Sequence, residues 1–171
     1  MTRMTAKDFS PDLLELYDFY AHGKISKREF LEKAGRFTLG GLTATAVLAM
    51  MKPNYALAEQ VSFTDPDIAA DYVTYPSPDG HGEVRGYLVR PAKAEGKVPA
   101  VVVVHENRGL NPHIEDITRR IALDGYLAFA PDALSPLGGY PGDEDKARAL
   151  FATLDQSKTR QDMLASAKAL M

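Results

Sequence analysis

A chain of 171 residues, 45% hydrophobic and 25% charged, has the make-up of a globular protein with room for one ordinary domain and a leader. Its formal net charge of −3 sets aside nucleic acid as the main partner, because phosphate binding wants a basic surface and no Lys/Arg cluster overrides the balance. The absence of cysteine excludes disulfides, thiolate metal sites and a cysteine nucleophile.

In chain order, residues 10–23 predict a helix, with Ser10 as N-cap, Pro11 in the first turn and Gly23 at the end. Leu13, Leu16, Tyr17 and Tyr20 fall on one face. The stretch 37–51 is charge-free and apolar. It is short of the ~20 residues a membrane span needs, but suits a signal-peptide core. Ala56-Leu57-Ala58 supplies a small-x-small cleavage pattern, and Lys27-Arg28-x-Phe30-Leu31 resembles the twin-arginine export signal with lysine in the first arginine's place. On this reading residues 1–58 are a leader cut after Ala58. The mature chain then starts at Glu59, reaches the bacterial periplasm and keeps no stable membrane span. The competing reading is a retained, folded helix in a cytoplasmic protein. Ser26-x-x-Glu29 is a capping box, and Phe30, Ala34 and Phe37 have helical spacing.

Beyond residue 59 the rhythm changes. Asp71–Tyr75, the turn Pro76-Ser77-Pro78-Asp79-Gly80 and the alternating Glu83–Arg90 predict an antiparallel hairpin at a sheet edge. Val101 to Val104, four valines in a row, predict a strand buried on both faces of a parallel sheet. Asn111-Pro112 opens a helix whose inner face is Ile114, Ile117 and Ile121. Asp124-Gly125 closes it, and Tyr126–Ala130 is a second buried strand, completing a βαβ unit. The loop 134–142 is open and mobile on composition. Asp143 starts one helical pattern and Thr159 caps another.

This order is the opening of an α/β-hydrolase, and the local residues resemble the dienelactone hydrolase (carboxymethylenebutenolidase-like) family over residues 70–171. The matching pieces are Gly86-Tyr87-Leu88-Val89-x-Pro91, Val101-Val102-Val103-Val104-His105-Glu106-Asn107-Arg108-Gly109-Leu110-Asn111, and Asp124-Gly125-Tyr126-x-Ala128-x-x-Pro131-Asp132. The resemblance implies hydrolysis of a small ester or lactone by a nucleophile, a histidine and an acid. It makes Glu106 the carboxylate that meets the resting nucleophile, and the Asn107 backbone N–H one half of the oxyanion hole. The family's substrate-holding arginines have no motif here, so Arg148 receives no role.

Fold class is therefore expected to be α/β, the N-terminal half of an α/β-hydrolase with an incomplete sheet, over residues 59–171. The nucleophile elbow G-x-S-x-G is absent from the chain, Ser135 sits in Leu-Ser-Pro-Leu, and His22, His81, His105 and His113 do not take the family's late histidine position. The missing strand would lie beside the valine strand and leave it as an edge. A fragment follows: a disrupted reading frame or one piece of a split protein, inactive until a C-terminal half is supplied. The non-enzymatic alternative is a decayed α/β module that acts by binding.

The plainer readings concern single residues. Glu106 at a buried strand end could cap a loop, and His105 reads as a packed structural histidine. His105-Glu106-x-x-Gly109 lacks the second histidine of a zinc protease. A metal set of His105, His113 and Asp132 is conceivable but not expected, and Asp132 reads as a strand end and loop cap. No glycine-rich dinucleotide fingerprint follows the valine strand, so neither a cofactor nor a metal is expected. Arg119-Arg120 reads as a solvated helix end.

Overall fold

Ser10 and Pro11 begin a helix as their types predict. The Ser10 Oγ accepts a hydrogen bond from the Leu13 N–H at 3.3 Å, and α1 runs Pro11–Ala21. The computed structural model describes residues 8–37, 43–51 and 59–171, and the chain divides into two units, Met1–Asn54 and Tyr55–Met171. In the first unit, α2 (Lys27–Ala34) starts from a complete capping box. Ser26 Oγ accepts from the Glu29 N–H, and the Glu29 carboxylate accepts from the Ser26 N–H at 2.7 Å. Phe30 and Ala34 of α2 then bury against Leu13, Leu16 and Tyr20 of α1 and Val47 and Leu48 of α3 (Ala44–Met51). No helix among the described residues is long and apolar enough to cross a membrane. The Ala56-Leu57-Ala58 pattern and residues 38–42 of the apolar stretch lie outside the described residues.

The second unit is built on a four-stranded mixed sheet. β1 (Ile68–Ser77) and β2 (Gly82–Pro91) form the predicted hairpin, with Ile68 opposite Pro91 and Ser77 opposite Gly82. β3 (Ala100–Val102), α4 (Pro112–Leu123) and β4 (Leu127–Pro131) form the predicted βαβ unit. β3 pairs parallel to β4, which pairs antiparallel to β2, so the order is β1-β2-β4-β3. Side chains alternate across the sheet with the period of two that strands impose. Tyr87, Val89, Ala128 and Ala130 face Ala122 of α4, whereas Tyr75, Val84 and Phe129 face Ala165 and Leu170 at the C-terminal helical end. Helices thus cover both faces, as an α/β fold requires.

Several expectations need correction. The valine strand is not buried on both faces: Val101 to Val103 are half-buried and Val104 is 62% exposed, because β3 is the last strand of the sheet among the described residues. Loop 134–142 is not open throughout. Leu134 is fully buried with Ala133, Ala147 and Leu154, and a 3-10 turn spans Ser135–Leu137. α5 (Glu144–Phe151) starts from Asp143 as predicted, but α6 (Gln156–Ala169) is capped by Asp155, not Thr159. Asp155 Oδ1 takes the Ser157 and Lys158 N–H groups, while the Thr159 hydroxyl bonds back to the Asp155 carbonyl within the helix. Arg119 is not solvated. It is 3% exposed, and only Arg120 of the pair faces water.

Candidate functional site

The carboxyl ends of β3 and β4 meet at residues 105–111 and 131–135, the crevice position where open α/β sheets place their chemistry. His105 ties the two ends together. The Ala133 N–H donates to its Nε2 at 2.9 Å, which leaves Nε2 bare and Nδ1 as the protonated nitrogen. Nδ1 lies 2.6 Å from the Glu106 carbonyl oxygen, its acceptor. Burial holds the imidazole below its ordinary pKa and therefore neutral, with the Phe151 ring 6.2 Å away edge-on. With both nitrogens engaged by backbone, His105 is a structural histidine and cannot also bind a metal.

Glu106 is exposed at the strand's end, not buried as its position in an apolar strand implied, because no further strand flanks β3 among the described residues. Asn107 follows in a turn and is half-buried. Its N–H is absent from the backbone hydrogen bonds of the described residues. The turn closes through the Gly109 N–H on the Glu106 carbonyl at 3.3 Å. Gly109 has φ 74°, and a Cβ there would sit 2.5 Å from Leu134 Cδ1. Only glycine lets the loop lie that close to the β4 loop. Asn111 caps α4 with Oδ1 accepting from the Ile114 N–H at 3.1 Å.

Asp132 closes the other side. It is fully buried, accepts from the Leu134 N–H at 3.0 Å through Oδ1, and has Arg85 3.7 Å from Oδ2. Burial pushes its pKa up despite that hydrogen bond and the nearby His105 and Arg85. Asp132 is a strand-end loop cap, as its type suggested. Ser135 Oγ accepts the Arg85 N–H at 2.9 Å, a structural bond. Arg108 faces Glu144 at 3.8 Å and Arg148 faces Asp145 at 3.7 Å. His113 is exposed on α4, apart from the buried His105. No group of three His, Asp or Glu among the described residues could hold a metal.

Two clusters escaped the sequence reading. Asp116 Oδ1 accepts the Gln60 and Val61 N–H groups, both at 2.9 Å, while Arg119 donates to the Val61 carbonyl at 2.7 Å and to Glu59 at 3.1 Å. The pair straps residues 59–61 to α4. Elsewhere, fully buried Asp162 of α6 accepts from the His81 N–H at 2.9 Å and lies 2.6 Å from His81 Nδ1, fastening the β1–β2 turn. The i, i+3 spacing of Asp116 and Arg119 is visible in sequence. Their burial is not.

Residues 84–171 match the family model described as "Dienelactone hydrolase family", and residues 1–38 match one described as "YqhI-like". The chain is 68% identical over 114 residues to an Escherichia coli K12 protein named "Putative hydrolase fragment YghX", covering 67% of this chain and 97% of that protein. It is 42% identical over 72 residues to an E. coli K12 "Putative carboxymethylenebutenolidase", covering 42% of this chain and 26% of that one. Among solved structures, one titled m3DLH is 31% identical with a TM-score of 0.51, over 61% of this chain and 43% of that chain. The chain thus spans about a quarter of that carboxymethylenebutenolidase's length and less than half of the solved structure.

Proposed function

Because the chain belongs to the dienelactone hydrolase family, we propose that residues 59–171 form one wall of an ester- or lactone-cleaving site. The observation that carries this is the Asn107 N–H, without a hydrogen bond among the described residues and next to exposed Glu106, at the carboxyl end of β3. When a nucleophile adds to the substrate carbonyl, the carbonyl oxygen becomes an oxyanion, and Asn107 N–H donates to it. A donor of this kind lowers the barrier by about 3 kcal/mol. Glu106 faces the nucleophile. No serine in a G-x-S-x-G elbow and no cysteine occurs in the 171 residues, so this chain alone does not turn over ester and needs a polypeptide that brings the elbow, the acid and the histidine. The test is p-nitrophenyl ester hydrolysis by the 171-residue chain, alone and mixed with the C-terminal half of a solved relative. Turnover is expected in the mixture only; hydrolysis by the isolated chain defeats the proposal.

The second reading, a non-catalytic module that binds through its sheet, is favoured by the open edge of β3 and exposed Val104. It gains if the mixture assembles without hydrolysing ester. Residues 1–58 are proposed as an export leader of twin-arginine type directing the chain to the periplasm. If replacing Lys27 and Arg28 by Gln leaves periplasmic delivery unchanged, the folded α1–α2 pair is a retained module instead.

A further inference from the structure

Within the wall just described, we infer that His105 is a positioning residue: its Nδ1–H sets the orientation of the peptide that presents the Asn107 N–H. This rests on the reading of that N–H as the oxyanion donor. The Glu106 carbonyl and the Asn107 N–H belong to one planar, trans peptide group, so they point in opposite directions. Holding the carbonyl inward aims the N–H outward. Two donors hold it. His105 Nδ1 is 2.6 Å from the oxygen, and the Gly109 N–H is 3.3 Å away.

The imidazole can donate there only in one tautomer, and the fold selects that tautomer. Nε2 must stay bare to accept the Ala133 N–H at 2.9 Å, which places the single proton on Nδ1. The chain is thus continuous: the backbone at the end of β4 orders the ring, the ring holds the Glu106 carbonyl, and the carbonyl aims the Asn107 N–H. His105 is 6% exposed and does not itself reach a substrate. Without the Nδ1 bond, the more distant Gly109 N–H alone restrains the peptide against rotation.

Two substitutions separate positioning from plain structural support. In His105→Asn the side-chain amide nitrogen takes the place of Nδ1 and keeps the donor, while the acceptor for Ala133 is lost. In His105→Gln the side-chain oxygen reaches the Ala133 N–H, while the donor to Glu106 is lost. In the full chain, ¹⁵N NMR should show His105 protonated at Nδ1 and bare at Nε2. Residual dipolar couplings of the Asn107 N–H should match wild type in His105→Asn and depart from it in His105→Gln. The opposite pattern, or an Asn107 vector unmoved in folded His105→Gln, overturns the proposal. In the complemented hydrolase, His105→Gln should lower kcat at least about tenfold at unchanged KM, with His105→Asn restoring it. If the N–H turns in His105→Gln while kcat stays constant, positioning stands and the oxyanion reading of Asn107 fails.

Discussion

Burial lowers the pKa of His105 below its ordinary 6.5, so above that value the imidazole is neutral in both folded and unfolded chain. As pH falls below 6.5, the unfolded chain takes up a proton that the folded one resists. Stability contributed by the neutral ring is therefore lost as pH drops through the folded value. Urea midpoints measured between about pH 5 and pH 7.5 should fall on the acid side in wild type and fall less in His105→Gln; a flat wild-type profile refutes this. Asp132 has the opposite sign. Its pKa is raised from 3.8, so its contribution is present below that value and is lost as pH rises through the folded one. Asp132→Asn keeps an acceptor for the Leu134 N–H and carries no buried charge. Its midpoint should rise relative to wild type from acidic to neutral pH. Arg119→Met leaves Asp116 buried without its cationic neighbour 3.8 Å away, and it removes the donor to the Val61 carbonyl. A loss of about 3 kcal/mol is expected, with faster hydrogen exchange at Gln60 and Val61; unchanged exchange there rules out the strap.

At the scale of elements, local chemistry and packing agree in most places. Ser10, Ser26, Asn111 and Asp143 each cap the helix that their residue type predicts, since each offers a side-chain oxygen to an N–H of the first turn. Asp155 and Thr159 both have capping side chains, and the choice between them went to the residue one turn earlier. The sheet contact between β2 and β4 is tight at Gly86, where a Cβ would stand 2.3 Å from the Phe129 ring. Gly86→Ala should cost about 2 kcal/mol through displacement of that ring, read from the urea midpoint. A cost near zero would mean that Phe129 has another place to go.

For the second unit taken whole, β3 is the last strand of the sheet among the described residues. Among the described residues no strand pairs with the outer side of β3, whose Val101 and Val102 are half-buried and which exposed Val104 follows; such an edge is a template for pairing with another chain. Val104→Lys should suppress concentration-dependent association, read by light scattering, and leave the thermal midpoint nearly unchanged. A variant that associates as wild type does would place the adhesive surface elsewhere. A nucleophile-bearing half is proposed to take the same edge, so Val104→Lys should also weaken complementation.

The residue pattern by itself determined the hairpin, the βαβ unit, the principal helix caps and the family, because each rests on local periodicity, turn chemistry or a contiguous motif. It also pointed to Glu106 and Asn107 through their place after a β-rich run. The tertiary structure alone decided burial and partnership. Four valines read as a strand covered on both faces, and their run order already placed the strand at an edge. Yet how far each valine is covered depends on neighbours far away in sequence, and Val101 to Val103 are only half-buried. Arg119 read as solvated because charge alone suggests water, until Asp116 and the backbone of 59–61 gave it a buried place. The tautomer of His105 likewise depends on the Ala133 N–H, which the chain brings to the ring only on folding. Pairings across long sequence separations leave no periodic trace, so they became legible only in three dimensions.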